Sequence, residues 1–299
     1  MNWKGVIPAL TTNLRANGAV DHAALAKHCR GMIDSGCTGI VCCGSLGEAA
    51  TLTFAEKIAV AKTCVMAVGD RAPVVMGIAS LSTPEAVALA KGAARAGCEG
   101  LMVLPPYVYS TDWREMKAHV SAVIAATKLS CLLYNNPPAY QTDFLPWQIA
   151  ELAADHPNLG AVKESSGDTR RVTAIRNACG QRLDILVGMD DAIVEGIYAG
   201  AVGWIAGLVN AFPAESVALF DYASRGDKVR AAALYAWFLP LLQLDTVPKF
   251  VQLIKWLQAE VGCGSATVRA PRLALAGGDL AHAKSVLAKA RKTRPKFLI

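Results

Sequence analysis

Lys163 is the side chain of this chain best placed to do covalent chemistry. It closes an apolar run, Leu159-Gly160-Ala161-Val162, and is followed by Glu164-Ser165-Ser166-Gly167-Asp168, residues that favour turns and helix starts. The pattern puts Lys163 at the C-terminal end of a short buried strand. An ammonium held against apolar walls loses hydration, which disfavours its charged form and leaves a free amine able to attack carbonyls. The alternative is a strand-end lysine whose stem packs on apolar surface while its head reaches water.

The elements around it decide between these readings. Strands are expected to begin near Gly5, Gly39, Val74, Gly100, Cys131, Leu159, Leu183 and Gly203. Between them lie helical patterns: one from Asp21 to Gly36, one after the Thr53/Glu56 capping box to about Val68, one opening at Ser82-Thr83-Pro84, and others over 113–127, 145–155, 169–178 and 190–199. A helix-stop, turn and strand-start recurs as Gly36-Cys37-Thr38-Gly39-Ile40, Gly97-Cys98-Glu99-Gly100-Leu101 and Gly200-Ala201-Val202-Gly203-Trp204. Strands apolar on both faces, alternating with helices, predict a (β/α)₈ TIM barrel over residues 1–224. Beyond it, 227–242, 247–261 and 280–290 read as helices alone, a C-terminal helical appendage over 225–299. His28 shares a helix face with Leu25, Cys29, Met32 and Ile33, so it reads as packing.

At 299 residues, 53% hydrophobic and 18% charged, the chain can bury a large core. Its net charge of +6 is dispersed, and only 289–296 is locally basic. With no aromatic-interleaved basic patch, a nucleic-acid partner is not expected. Neither is a membrane: the run 231–242 is far short of a bilayer span and is interrupted by Pro240. The first 14 residues lack a basic lead into a long apolar stretch, so no signal peptide is read there. Nine cysteines, an odd number without a CxxC pair, suggest reduced buried thiols and a cytoplasmic location. Five dispersed histidines give no metal-ligand spacing. Adjacent Cys42 and Cys43 would point to opposite faces of a strand, which a barrel covers on both sides.

Barrel enzymes carry their chemistry at the C-terminal ends of strands. That rule selects Ser45, Tyr107, Tyr134, Lys163, Gly188 and Ile205 to Gly207. An amine, two phenols and a hydroxyl beside exposed backbone donors are what Schiff-base chemistry on an oxo acid requires.

Four motifs in order and spacing, Gly44-Ser45-Leu46-Gly47-Glu48, Pro105-Pro106-Tyr107, Tyr134-Asn135-Asn136-Pro137 and Val162-Lys163-Glu164, resemble those of the dihydrodipicolinate synthase and N-acetylneuraminate lyase family of class I aldolases. The resemblance covers nearly the whole chain. It implies the barrel, a homotetramer built as a dimer of dimers, and a reaction without metal or organic cofactor. It also implies that Lys163 forms the imine with the C2 carbonyl of a 2-oxo acid and that Tyr134 shuttles protons. Gly44, Ser45 and Leu46 lie in the loop that holds the substrate carboxylate. Gly188 and Ile205 match pocket-lining positions, and Tyr107 matches a tyrosine that reaches a neighbouring subunit's site.

The departures bear on substrate. Leu46 stands where the family's loop has a second hydroxyl, Pro106 replaces the first of two tyrosines, and Ala139 replaces an arginine that clamps the carboxylate of the synthase's aldehyde. Together these features look most like members that convert 1-pyrroline-4-hydroxy-2-carboxylate to 2-oxoglutarate semialdehyde and ammonia. The alternatives are a pyruvate-dependent aldolase or condensing enzyme such as the synthase, a dehydratase of 3-deoxy-2-oxo sugar acids, or a non-catalytic metabolite-binding barrel.

Overall fold

The computed structural model describes residues 1–106 and 111–295. Eight parallel strands, β1 (Gly5–Pro8), β2 (Ile40–Cys42), β3 (Val74–Ile78), β4 (Gly100–Val103), β5 (Ser130–Asn135), β6 (Leu159–Glu164), β7 (Asp184–Val187) and β8 (Gly203–Ala206), form one sheet in which β1 pairs with β8. The Ala9–Val41 bridge and the Leu10 N–H donated to Val41 O at 2.8 Å join β1 to β2 and close the ring. This is the (β/α)₈ barrel expected from the alternation.

Helices α1 (His22–Asp34), α2 (Phe54–Val68), α3 (Thr83–Arg95), α4 (Trp113–Ala125), α5 (Pro137–Tyr140), α6 (Pro146–Asp155), α7 (Arg170–Cys179), α8 (Ile193–Tyr198) and α9 (Pro213–Ser224) occupy the connections and the return after β8. Their starts follow local chemistry: Asp21 caps α1 through the Ala24 N–H, and Thr53 with Glu56 closes a capping box on α2. After α9 come α10 (Lys228–Leu242), α11 (Phe250–Glu260) and α12 (Gly277–Thr293). α12 starts three residues before the sequence pattern suggested; Gly277 and Gly278 weaken the periodicity, while Asp279 in the first turn favours the helix dipole. Residues 190–199, read as one helix, are a 3₁₀ turn, Asp190–Ala192, followed by α8.

Strand interiors are buried on both faces, with Ile7, Ile40, Val75, Leu101, Leu132, Val162, Leu186 and Trp204 all essentially inaccessible. His28 is buried, and its Nε2 lies 2.9 Å from Asn210 Oδ1, which is the packing role read from its helix face. Seven cysteines are buried and two half-buried, and none is in a disulfide. Among the described residues no helix is long and apolar enough to cross a membrane.

Candidate active site

Parallel register brings the two principal candidates together. Tyr134 on β5 lies opposite Lys163 on β6, and Lys163 Nζ sits 4.2 Å from the centre of the Tyr134 ring. Each is 6% exposed. Their neighbours in sequence hold the strand ends. Asn135 Oδ1 accepts the Phe144 N–H at 2.9 Å, and its Nδ2 donates to Glu164 at 3.0 Å and to Asp143 at 3.1 Å. Glu164 also accepts the Ser166 N–H at 2.6 Å. Burial raises the Glu164 carboxyl above its usual range, and these donors oppose the rise. Asn136 Nδ2 donates to the Tyr134 hydroxyl at 2.8 Å.

Gly188, just past β7, makes room for the lysine. A Cβ there would overlap Ser165 Oγ and stand 2.5 Å from Lys163 Cε. The walls around Lys163 are not wholly apolar, as the sequence suggested. Besides the Tyr134 ring, the carboxyl groups of Asp190 and Asp245 lie within reach of its charge.

The loop carrying Ser45 is set by backbone strain and a buried ion pair. Cys43, at the end of β2, has φ +56°, and its carbonyl packs where a Cβ on Gly77 would be 2.6 Å away. Glu48, also at φ +56° and 1% exposed, accepts Lys255 Nζ of α11 at 2.6 Å and the Arg269 N–H at 3.0 Å. Lys255 Nζ donates in addition to Thr12 O at 3.0 Å, and Thr12 Oγ1 donates to Gly47 O at 2.6 Å. Burial lowers the Lys255 ammonium below the usual lysine range, with Glu48 opposing.

Thus fixed, Ser45 hydrogen-bonds the Tyr140 hydroxyl, and Tyr140 stands edge-on to Tyr134 at 5.7 Å and 89°. Tyr140 is delivered by α5, a single turn whose cap, Asn136, accepts the Ala139 N–H at 3.2 Å. The backbone N–H groups of Ser45 and Leu46 donate to no protein group among the described residues. Leu46 and Ile205 have buried side chains, and Gly44 faces Met102. Tyr107 lies outside the described residues.

Two side chains near the pocket were not singled out from the sequence. Asp190, fully buried after β7, accepts the Gly207 N–H at 3.1 Å and the Leu208 N–H at 2.7 Å; burial pushes its carboxyl up to about 6. Asp245 belongs to the 3₁₀ turn Gln243–Asp245 between α10 and α11, and its carboxyl occupies the space above Gly207. Among the described residues no group of three or more His, Cys, Asp or Glu is arranged to hold a metal ion.

A family profile described as "Dihydrodipicolinate synthetase family" matches residues 2–290. The chain belongs to that family. A 4-hydroxy-tetrahydrodipicolinate synthase of Chelativorans sp. is 37% identical over 241 residues, covering 80% of this chain and 82% of the relative. The structure of the synthase from Methylacidiphilum fumariolicum superposes with a TM-score of 0.93 at 27% identity, covering 97% of both chains. A chloride-inhibited synthase from Acinetobacter baumannii, solved with pyruvate, gives 0.92 at 27% identity over 97% of this chain and 99% of that one. As a member of the dihydrodipicolinate synthetase family, the protein is an enzyme, a lyase of the class I aldolase type.

Proposed function

We propose that the protein forms a Schiff base between Lys163 and C2 of a small 2-oxo acid or its cyclic imine, and that its preferred substrate is 1-pyrroline-4-hydroxy-2-carboxylate. The observation that carries the Schiff-base reading is the Lys163–Tyr134 pair, buried together at the C-terminal ends of β5 and β6. The amine attacks C2, and the protonated imine withdraws electrons so that a C3 proton can leave. Tyr134, held by Asn136, shuttles protons during imine formation and afterwards. The substrate carboxylate sits on Ser45 and the Ser45 and Leu46 N–H groups.

The distal half of the pocket supports elimination over condensation. Ala139 offers no cation for a second carboxylate, and Asp190 and Asp245 place acidic groups nearby. Position 139 therefore supplies no bidentate clamp for a carboxylate, which disfavours a dicarboxylic product by a few kcal/mol in order of magnitude. On the pyrroline, Lys163 displaces the ring nitrogen at C2 and an enamine forms. Loss of the C4 hydroxyl as water, isomerisation and addition of water at C5 then release ammonia, and a second water at C2 hydrolyses the imine, freeing Lys163 and 2-oxoglutarate semialdehyde. The names of the relatives support a second reading, condensation of pyruvate with an aldehyde through the same enamine. Cytoplasmic location fits the unpaired cysteines, and assembly as a homotetramer fits exposed Phe54, Leu81 and Trp147; sedimentation at a single chain mass would contradict the tetramer.

The deciding experiment is borohydride trapping followed by intact mass, with pyruvate and with the pyrroline, for wild type and Lys163→Ala. The expected result is an adduct that Lys163→Ala abolishes, with ammonia released from the pyrroline. Pyruvate trapping without ammonia release would leave the condensing reading in its place.

A further inference from the structure

The barrel mouth holds two carboxyl groups of different standing. Asp190 is already engaged, accepting the N–H groups of Gly207 and Leu208. Asp245 is not: its Oδ1 is buried without a hydrogen-bond partner among the described residues. A buried carboxyl oxygen without a partner costs stability unless something that visits the site completes it. Its position is deliberate. Gly207, immediately after β8, has no Cβ, and a Cβ there would overlap the Asp245 carboxyl, with Oδ2 at 2.5 Å.

We propose that Asp245 is the general acid for the bond broken at the substrate's fourth carbon, donating its carboxyl proton to the departing hydroxyl. The proposal rests on the elimination reading above and adds the proton donor that reading lacks. In the enamine, the nitrogen lone pair re-forms the C2=N bond, the C2=C3 pair moves to C3=C4, and the C4–O bond breaks. The oxygen takes its bonding pair and the Asp245 proton and leaves as water; the carboxylate regains a proton from solvent.

The groups facing Asp245 favour the protonated form that such a donor needs. Burial and the charges of Asp190 and Asp191, both on the 3₁₀ turn after β7, raise its carboxyl, while Lys163 on β6 opposes them. At the enamine stage the Lys163 nitrogen is neutral, so that opposition is absent when the C4–O bond breaks. The donor enters from the C-terminal helical region, whereas the imine lysine and the phenol come from neighbouring strands. Cleavage at C4 is thereby given its own acid, separate from the groups that build the imine.

The test uses the full-length enzyme and its Asp245→Asn and Asp245→Ser variants. Two rates are measured: exchange of the pyruvate methyl protons with deuterium oxide, which stops at the enamine, and ammonia release from 1-pyrroline-4-hydroxy-2-carboxylate. The expected outcome is methyl exchange within about threefold of wild type and ammonia release lowered about 10²-fold or more, the usual scale of general-acid catalysis. Ammonia release at the wild-type rate in Asp245→Asn overturns the proposal and leaves elimination standing. Loss of methyl exchange in both variants also overturns it, since Asp245 would then hold the pocket together. Methyl exchange in the wild type without ammonia release removes the elimination reading and this proposal with it.

Discussion

At Lys163 the proposed imine chemistry depends on a residue with no side chain. Gly188 leaves the volume that Ser165 Oγ and the lysine stem fill. Gly188→Ala is expected to slow borohydride trapping of pyruvate at least about tenfold while destabilising the fold by about 1–3 kcal/mol, the usual cost of overpacking; equal trapping rates would refute this account. The placement of Lys163, Tyr134 and Ser45 at the C-terminal ends of barrel strands was legible in the sequence because the strand alternation shows where each strand ends. Asp190 carried a readable signal, an acidic pair directly after Gly188-Met189. Asp245 carried none. Gln243-Leu244-Asp245-Thr246 looks like an ordinary surface turn, and only the return of the chain over Gly207 gives it meaning.

Among the elements, α2 is fastened at its start to the segment that follows α11. Glu56 completes the capping box through the Thr53 N–H at 2.9 Å and also pairs with Arg269 at 2.5 Å. The Arg269 guanidinium holds the Glu56 carboxyl at about 2, below its ordinary 4.5. A carboxyl depressed by folding contributes stability above its unfolded value and loses it as the pH falls through the folded one. Glu56→Gln keeps a residue able to close the capping box but loses the charge pair with Arg269, so it should lower stability by up to about 1 kcal/mol at pH 7, in keeping with a partly exposed pair. The difference between wild type and variant should shrink as the pH falls from 4.5 toward 2. Urea midpoints across that window check it, and a difference that grows with acidity would contradict it. The capping box was visible in the sequence as Thr53-x-x-Glu56, but its second partner was not, because Arg269 lies more than two hundred positions away.

For the molecule as a whole, the C-terminal helices pack onto the strand ends that carry the candidate site. Strand alternation made the barrel legible; the helices after β8 were legible as helices but not as parts of the pocket, since their contacts with Thr12, Glu48 and Gly207 join opposite ends of the chain. A chain cut after residue 224 keeps Lys163, Tyr134 and Ser45 yet loses Lys255 and Arg269, the partners that hold Glu48 and the Ser45 loop. That fragment is expected to trap no pyruvate and to bind a hydrophobic dye; trapping at the full-length rate would show that the loop holds without the helices. The Lys255–Glu48 pair has a further consequence during synthesis. Ribosomes deliver a chain from its N-terminus, so every strand and Lys163 emerge before the residue that fixes the Ser45 loop. On the proposed reading, the half of the site that holds the substrate carboxylate is therefore the last to be completed, once α11 has emerged.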